Sequence, residues 1–174
     1  MQFLFLIPSK ISIYLLKNLA NSILNRTDCE PVKRMGNKPE LYKVSTKQQL
    51  IAKFKKLFEY YKQKGYNNIG VITKTSSNSV ELFNILSPHF SDVKLITENE
   101  TYLNGTVIID AFSSKGLEFD AVIMFNVNNV EYSTELDKQL LYVAVTRALH
   151  DICLIHTKEP SSFVTKYFNG LEEK

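Results

Sequence analysis

Cysteine is nearly absent: Cys29 and Cys153 are the only two in 174 residues, too few for a disulfide framework or a zinc site. A reduced, cytoplasmic setting is the expectation, with Cys153, inside the apolar run 152–155, a small core residue. The three histidines, at 89, 150 and 156, lack metal-ligand spacing, which sets a catalytic metal site aside. No glycine is followed by lysine, so the loop G-x-x-x-x-G-K-[ST], whose amides and lysine hold nucleotide phosphates, is missing. The chain is therefore not a self-sufficient P-loop ATPase. The apolar start, MQFLFLI, stops at Pro8 without a leading Lys or Arg; it is too short for a membrane span and lacks the charged region of a secretory signal. No membrane partner is expected, and no repeat or low-complexity tract occurs.

What is present is ordinary in amount and uneven in placement. Hydrophobic residues make up 44% and charged residues 22%, as in a globular domain, and this length buries roughly 70% of the unfolded surface. Residues 1–64 hold thirteen Lys/Arg against four Asp/Glu (+9), and 65–174 hold eight against fourteen (−6). A basic segment on an acidic body points to a polyanion or acidic partner for the first third; a merely solvated helix face explains the lysines of 47–64 as well.

Apolar spacing predicts helices over 9–24, 46–64, 77–89, 134–149 and 161–168, with Asn78 and Glu81 at capping-box spacing. Short apolar runs predict strands over 41–44, 69–73, 93–97, 106–110, 119–127 and 151–156. Residues 25–40, with two prolines, a glycine and mixed charge, read as an exposed connection. Strands alternating with amphipathic helices indicate an α/β sheet, mainly parallel, in which ligands gather beyond the carboxyl ends of strands. The turn after Asp110 is such a place, which positions Ser113–Glu118 to work.

Two segments carry chemistry. In the helix expected over 134–149, Leu136, Leu140, Val143, Ala144 and Arg147 share one face at roughly 100° per residue. A guanidinium buried there needs an anion, either a carboxylate such as Glu118 or Asp110, or a phosphate from outside. The other segment, DAFSSKGLEFD (110–120), places small residues and Gly116 at a strand end, where successive amides can face an anion. A tight turn with Lys115 in solvent fits it equally. Glu118 has a sugar hydroxyl, Arg147 or local amides as possible donors. Tyr142, roughly opposite Arg147 on the helix, is a boundary aromatic.

With both segments in view, the chain resembles the second RecA-like motor domain of UvrD/Rep/PcrA-type superfamily-one helicases. Ser113–Phe119 (SSKGLEF) resembles motif V, usually T-x-H-x-x-K-G-L-E-F; Leu140–Ala148 (LLYVAVTRA) resembles motif VI, usually (L/A)-Y-V-x-x-T-R-A. Ile69–Thr75 (IGVITKT) is similar to the strand opening this domain, where the family often has arginine at the place of Lys74. The resemblance implies a RecA-like fold in 41–174 lacking its own P-loop, preceded by a helix and connection in 1–40. It implies that Arg147 is the catalytic arginine finger on the γ-phosphate of ATP, which is held with Mg mainly by a P-loop on an N-terminal motor domain. Glu118 would bind the ribose and Gly116 would allow close approach. Phe112, Ser113, Ser114 and Lys74 would lie along single-stranded DNA.

Two departures stand out. The family's Tyr-Arg-Ser element, motif IV, should lie within 1–15, where MQFLFLIPSKISIYL has no arginine. The motif V histidine is replaced by Phe112, able to stack on a base but not to make the same hydrogen bond. The span from Lys74 to Asp110 has no room for the inserted subdomain of UvrD or Rep, and this compactness is similar to HelD-type helicase-like ATPases, which are associated with bacterial RNA polymerase. The expected function is the C-terminal motor half of an ATP-dependent DNA helicase or translocase. The alternative is a non-catalytic module binding nucleic acid or RNA polymerase.

Overall fold

The computed structural model describes residues 12–25, 37–96 and 104–172. The candidate motif IV segment has no described side chains, and most of the expected connection lies outside those residues. Among the described residues, eleven elements follow in order: α1 (Ser12–Leu24), β1 (Glu40–Lys43), α2 (Lys47–Gln63), β2 (Asn68–Thr73), α3 (Ser76–Leu86), β3 (Val93–Leu95), β4 (Gly105–Asp110), β5 (Phe119–Phe125), α4 (Glu135–Val145), β6 (Ala148–His156) and α5 (Ser162–Glu172).

The strands form one six-stranded sheet in the order β1-β6-β5-β2-β4-β3, and every strand pairing is parallel. The α/β expectation holds, and the reason is visible in the strands. Ile69, Val71 and Ile72 of β2, and Ala121 through Met124 of β5, are buried, because a parallel sheet covered on both faces asks for continuous apolar runs. One face carries a core shared by Leu19 and Ile23 of α1, Leu141 and Ala144 of α4, and Val164 of α5. The other packs Phe54 and Leu57 of α2 and Leu82 and Leu86 of α3 on Val71, Ile123 and Ile155. Cys153 is buried in that second core, as expected. No described helix is long and apolar enough to cross a membrane.

Three local expectations change. The helix after β2 begins at Ser76, its N-cap Thr75 accepting from the Asn78 amide; Asn78 is not the cap. The capping box belongs instead to α4, where the Thr134 side chain accepts from the Asp137 amide and the Asp137 side chain accepts from the Thr134 amide. Most important, α4 stops at Val145, and Ala148 already opens β6. Leu136 is 67% exposed, while Asp137, Leu141, Ala144 and Val145 are the buried residues of α4. Arg147 therefore lies in the short turn between α4 and β6, not on a buried helical face. The β5–β6 ladder decides this: the Phe119 amide donates to the Arg147 carbonyl (2.9 Å), drawing the chain out of the helix.

Candidate functional site

The sequence segments expected to work together lie at two opposite edges of the sheet. Thr73 pairs with Asp110 at the carboxyl ends of β2 and β4, whereas Phe119 pairs with Ala148 at the amino ends of β5 and β6. Residues 111–118 cross the molecule between these edges. Phe112, Ser113 and Lys74 thus stand near the carboxyl edge; Glu118 and Arg147 stand at the amino edge. The expectation that all of 113–118 borders the carboxyl ends holds only for its beginning.

At the carboxyl edge, Asp110 organises the crossing. Its Oδ1 accepts from the Ser113 amide (3.0 Å) and its Oδ2 from the Ser76 hydroxyl (3.1 Å), tying the turn to the start of α3. Phe112 is 73% exposed. Ser114 is fully buried, its hydroxyl donating to the Ala111 carbonyl (2.8 Å), so that side chain is engaged in shaping the turn. Lys74 also departs from expectation. Its ammonium pairs with Asp137 Oδ1 at 2.7 Å and donates to the Glu131 carbonyl, a commitment the sequence did not reveal. Burial works to raise the Asp137 carboxyl, but the Lys74 ammonium and the Thr134 and Ser133 amides outweigh it and hold the group well below the usual carboxylate range. The signal for Asp137 was present in the T-x-x-D spacing before an apolar run.

At the amino edge, Gly116 has φ +88°, a conformation that side-chain-bearing residues rarely adopt. A Cβ there would meet nothing within 4 Å, so within this chain only the backbone demands glycine. Glu118 is exposed. The half-buried Arg147 donates from Nε to the Val143 carbonyl (3.0 Å), from Nη1 to the Leu117 carbonyl (3.2 Å) and from Nη2 to the Thr146 hydroxyl (3.2 Å). Among the described residues no carboxylate comes within ion-pairing distance of it. Neutral oxygens, two of them carbonyls flanking the last turn of α4 and the crossing segment, hold the guanidinium without cancelling its charge. They engage only part of its donor set, and a cation at a helix C-terminus is favourably placed. Glu118, the candidate internal partner, is not paired with it.

A groove of about 530 Å³ is lined by Phe58, Tyr66, Phe90 and Gly105, among others. Gly116 and Glu118 are exposed beside Leu117, whose carbonyl takes the Arg147 guanidinium.

Three comparisons with known proteins bear on the chain as a whole. The family described as the UvrD-like helicase C-terminal domain matches residues 106–155. The chain is similar to the C-terminal domain of a possible DNA helicase from Lactobacillus plantarum WCFS1, with TM-score 0.73, 22% identity, and 88% of this chain and 90% of that chain covered. It also aligns with truncated PRRSV nsp10, a helicase, with TM-score 0.45, 10% identity, and 92% of this chain against 51% of that chain covered. No curated protein matches in sequence. The match to the UvrD-like helicase C-terminal domain runs from β4 into β6, the stretch holding Gly116, Glu118 and Arg147, and the parallel α/β fold is shared with the C-terminal domain of a possible DNA helicase.

Proposed function

We propose that this chain is the C-terminal motor half of an ATP-dependent DNA helicase or translocase, acting with an N-terminal RecA-like domain that carries the P-loop. The observation that carries the reading is the Arg147 guanidinium: half-buried, gripped by neutral oxygens, unneutralised, and inside the matched segment. An arginine is suited to this work, being always charged, planar and able to fork onto phosphoryl oxygens. ATP with Mg, held mainly by the partner domain, supplies the phosphoryl group to be transferred. On this side Arg147 meets charge at the γ-phosphate, Glu118 accepts from ribose hydroxyls, and Gly116 leaves the backbone open to close approach. Phe112, with Ser113 beside it, offers a ring for stacking on a base of single-stranded DNA at the far edge. The 111–118 crossing then joins the strand-facing edge to the nucleotide-facing edge by one continuous stretch of chain.

An arginine finger is worth about 10³ or more in turnover. Arg147→Ala in the protein combined with its P-loop partner should therefore abolish DNA-stimulated ATP hydrolysis while ATP binding persists. Near-normal turnover in that variant refutes the assignment.

A second reading, a non-catalytic module binding nucleic acid or RNA polymerase, is favoured by the exposed Lys47, Lys55, Lys56 and Lys62 of α2. Binding to nucleic acid through them would weaken steeply with salt, without any ATP turnover in the wild-type pair.

A further inference from the structure

Lys74 and Asp137 are joined by an ion pair that neither motif accounts for. The pair links the end of β2 to the start of α4, and α4 runs roughly 16 Å from there to its other end, where Arg147 follows. We propose that Lys74 and Asp137 are positioning residues, fixing the place of α4 along its own axis and thereby the seat of Arg147. The inference rests on the nucleotide reading for what Arg147 does, and on geometry alone for how it is held.

The argument begins with what else holds α4. Leu141, Ala144 and Val145 pack into the core shared with α1 and β5. Apolar burial is non-directional, so it resists lifting the helix off the sheet more than it resists sliding along it. The directional restraints are at the two ends. At the start, Asp137 uses both oxygens: Oδ1 takes the Lys74 ammonium at 2.7 Å, and Oδ2 accepts the Ser133 and Thr134 amides at 3.1 and 3.0 Å. Lys74 in turn holds the Glu131 carbonyl and stands 5.9 Å from the centre of the buried Tyr132 ring. Charge-assisted bonds of this kind are short and orientation-dependent, and both partners are largely shielded from water, with side-chain exposures of 23% and 8%.

At the far end, the Arg147 amide donates to the Ala144 carbonyl (3.1 Å) and Nη1 reaches the Leu117 carbonyl at 3.2 Å. That last bond joins α4 to the crossing segment and is already long. A slide of about 1 Å takes it beyond hydrogen-bond range, and the guanidinium then loses its fixed direction relative to Glu118. A lysine reserved for DNA would have no reason to spend its ammonium on a helix start; one that indexes a helix would.

The test uses the full chain and its exchange of amide hydrogens, read residue by residue. Lys74→Met, and Asp137→Asn as a second variant that keeps an acceptor for the cap, should raise exchange of the Phe119, Thr146 and Arg147 amides about tenfold. Lys74→Arg should restore protection. Thr134→Ala, which weakens the cap but spares the ion pair, should affect only 133–137. Exchange that rises only over 133–137 in the Lys74 and Asp137 variants, or does not change, overturns the proposal. With the P-loop partner added, Lys74→Met should lower kcat by about 10²-fold with little change in KM for ATP, the signature of a misplaced rather than missing group. Absence of turnover in the wild-type pair would defeat the proposed function and leave the exchange result to decide the positioning role.

Discussion

Gly70 offers the sharpest test of how the candidate site is built. It lies in the middle of β2, and a Cβ added there would fall 2.6 Å from Cδ2, 2.7 Å from Cγ and 2.8 Å from Cε2 of the Phe119 ring. Phe119 has no room to retreat: it is fully buried, and its amide is bonded to the Arg147 carbonyl. Gly70→Ala brings two opposed effects. Removing glycine's conformational freedom from a strand favours the folded state by about 0.5–1 kcal/mol. Forcing one carbon into a filled core costs about 1–3 kcal/mol, and contacts under 3 Å to a rigid ring put this case toward the upper end. The net expectation is destabilisation of about 1–2 kcal/mol, or a fall of roughly 3–8 °C in Tm for a chain of this size. Urea unfolding followed by circular dichroism reads this directly. Phe119→Leu should lose stability alone through the cavity it leaves, yet lose much less when combined with Gly70→Ala, giving a coupling of 0.5 kcal/mol or more between touching residues. A neutral or stabilising Gly70→Ala, or strict additivity with Phe119→Leu, would show that the ring does not press on the β2 backbone and would remove the stated reason for glycine at that position.

Other outcomes follow from the same structure. Asp137 is held below the ordinary carboxylate range, so its contribution is fully present above about pH 4, its unfolded range, and fades as pH falls toward the depressed folded value. Asp137→Asn should flatten the loss of urea midpoint between pH 5 and pH 2, and an unchanged acid profile in that variant would contradict the assignment. Burial pushes the Cys153 thiol up to about 12, so it should not react with a thiol reagent at pH 8 until the chain unfolds; fast labelling of the native protein at Cys153, located by peptide mapping, would count against its burial. Lys64→Met should destabilise by about 3 kcal/mol, because Asp151 is buried, takes Lys64 at 2.9 Å and Tyr66 at 3.1 Å on Oδ2, and has no bond to Oδ1 among the described residues. Thermal unfolding within a degree of wild type would show that Asp151 is not dependent on that ammonium.

The central strands of this protein, β2, β4, β5 and β6, were legible because each holds an apolar run, which a sheet covered on both faces requires. Gly116 and Glu118 were legible as a turn and a strand edge, and the spacing of TELDKQLLYVAVTRA carried both a helix and its cap. The end of that helix was not legible. Leu, Tyr, Val, Ala and Arg are all acceptable in either state, and only the Phe119 bond to the Arg147 carbonyl, made by a residue 28 positions earlier, pulled the chain into β6. Periodicity then put Arg147 on the wrong face, since it extended a helix that tertiary pairing had already ended.

The Lys74 partner was hidden for the same reason. Sequence distance says nothing of which loops a parallel sheet brings side by side, and Lys74 and Asp137 meet only because β2 and β5 are neighbours. Composition and local pattern thus determined that this chain is a covered parallel sheet with an arginine at the end of an amphipathic segment. Long-range strand pairing alone decided that the arginine faces a different edge from the aromatic ring at Phe112, with no carboxylate to neutralise it, because charge compensation depends on distances in space that no local run of residues encodes.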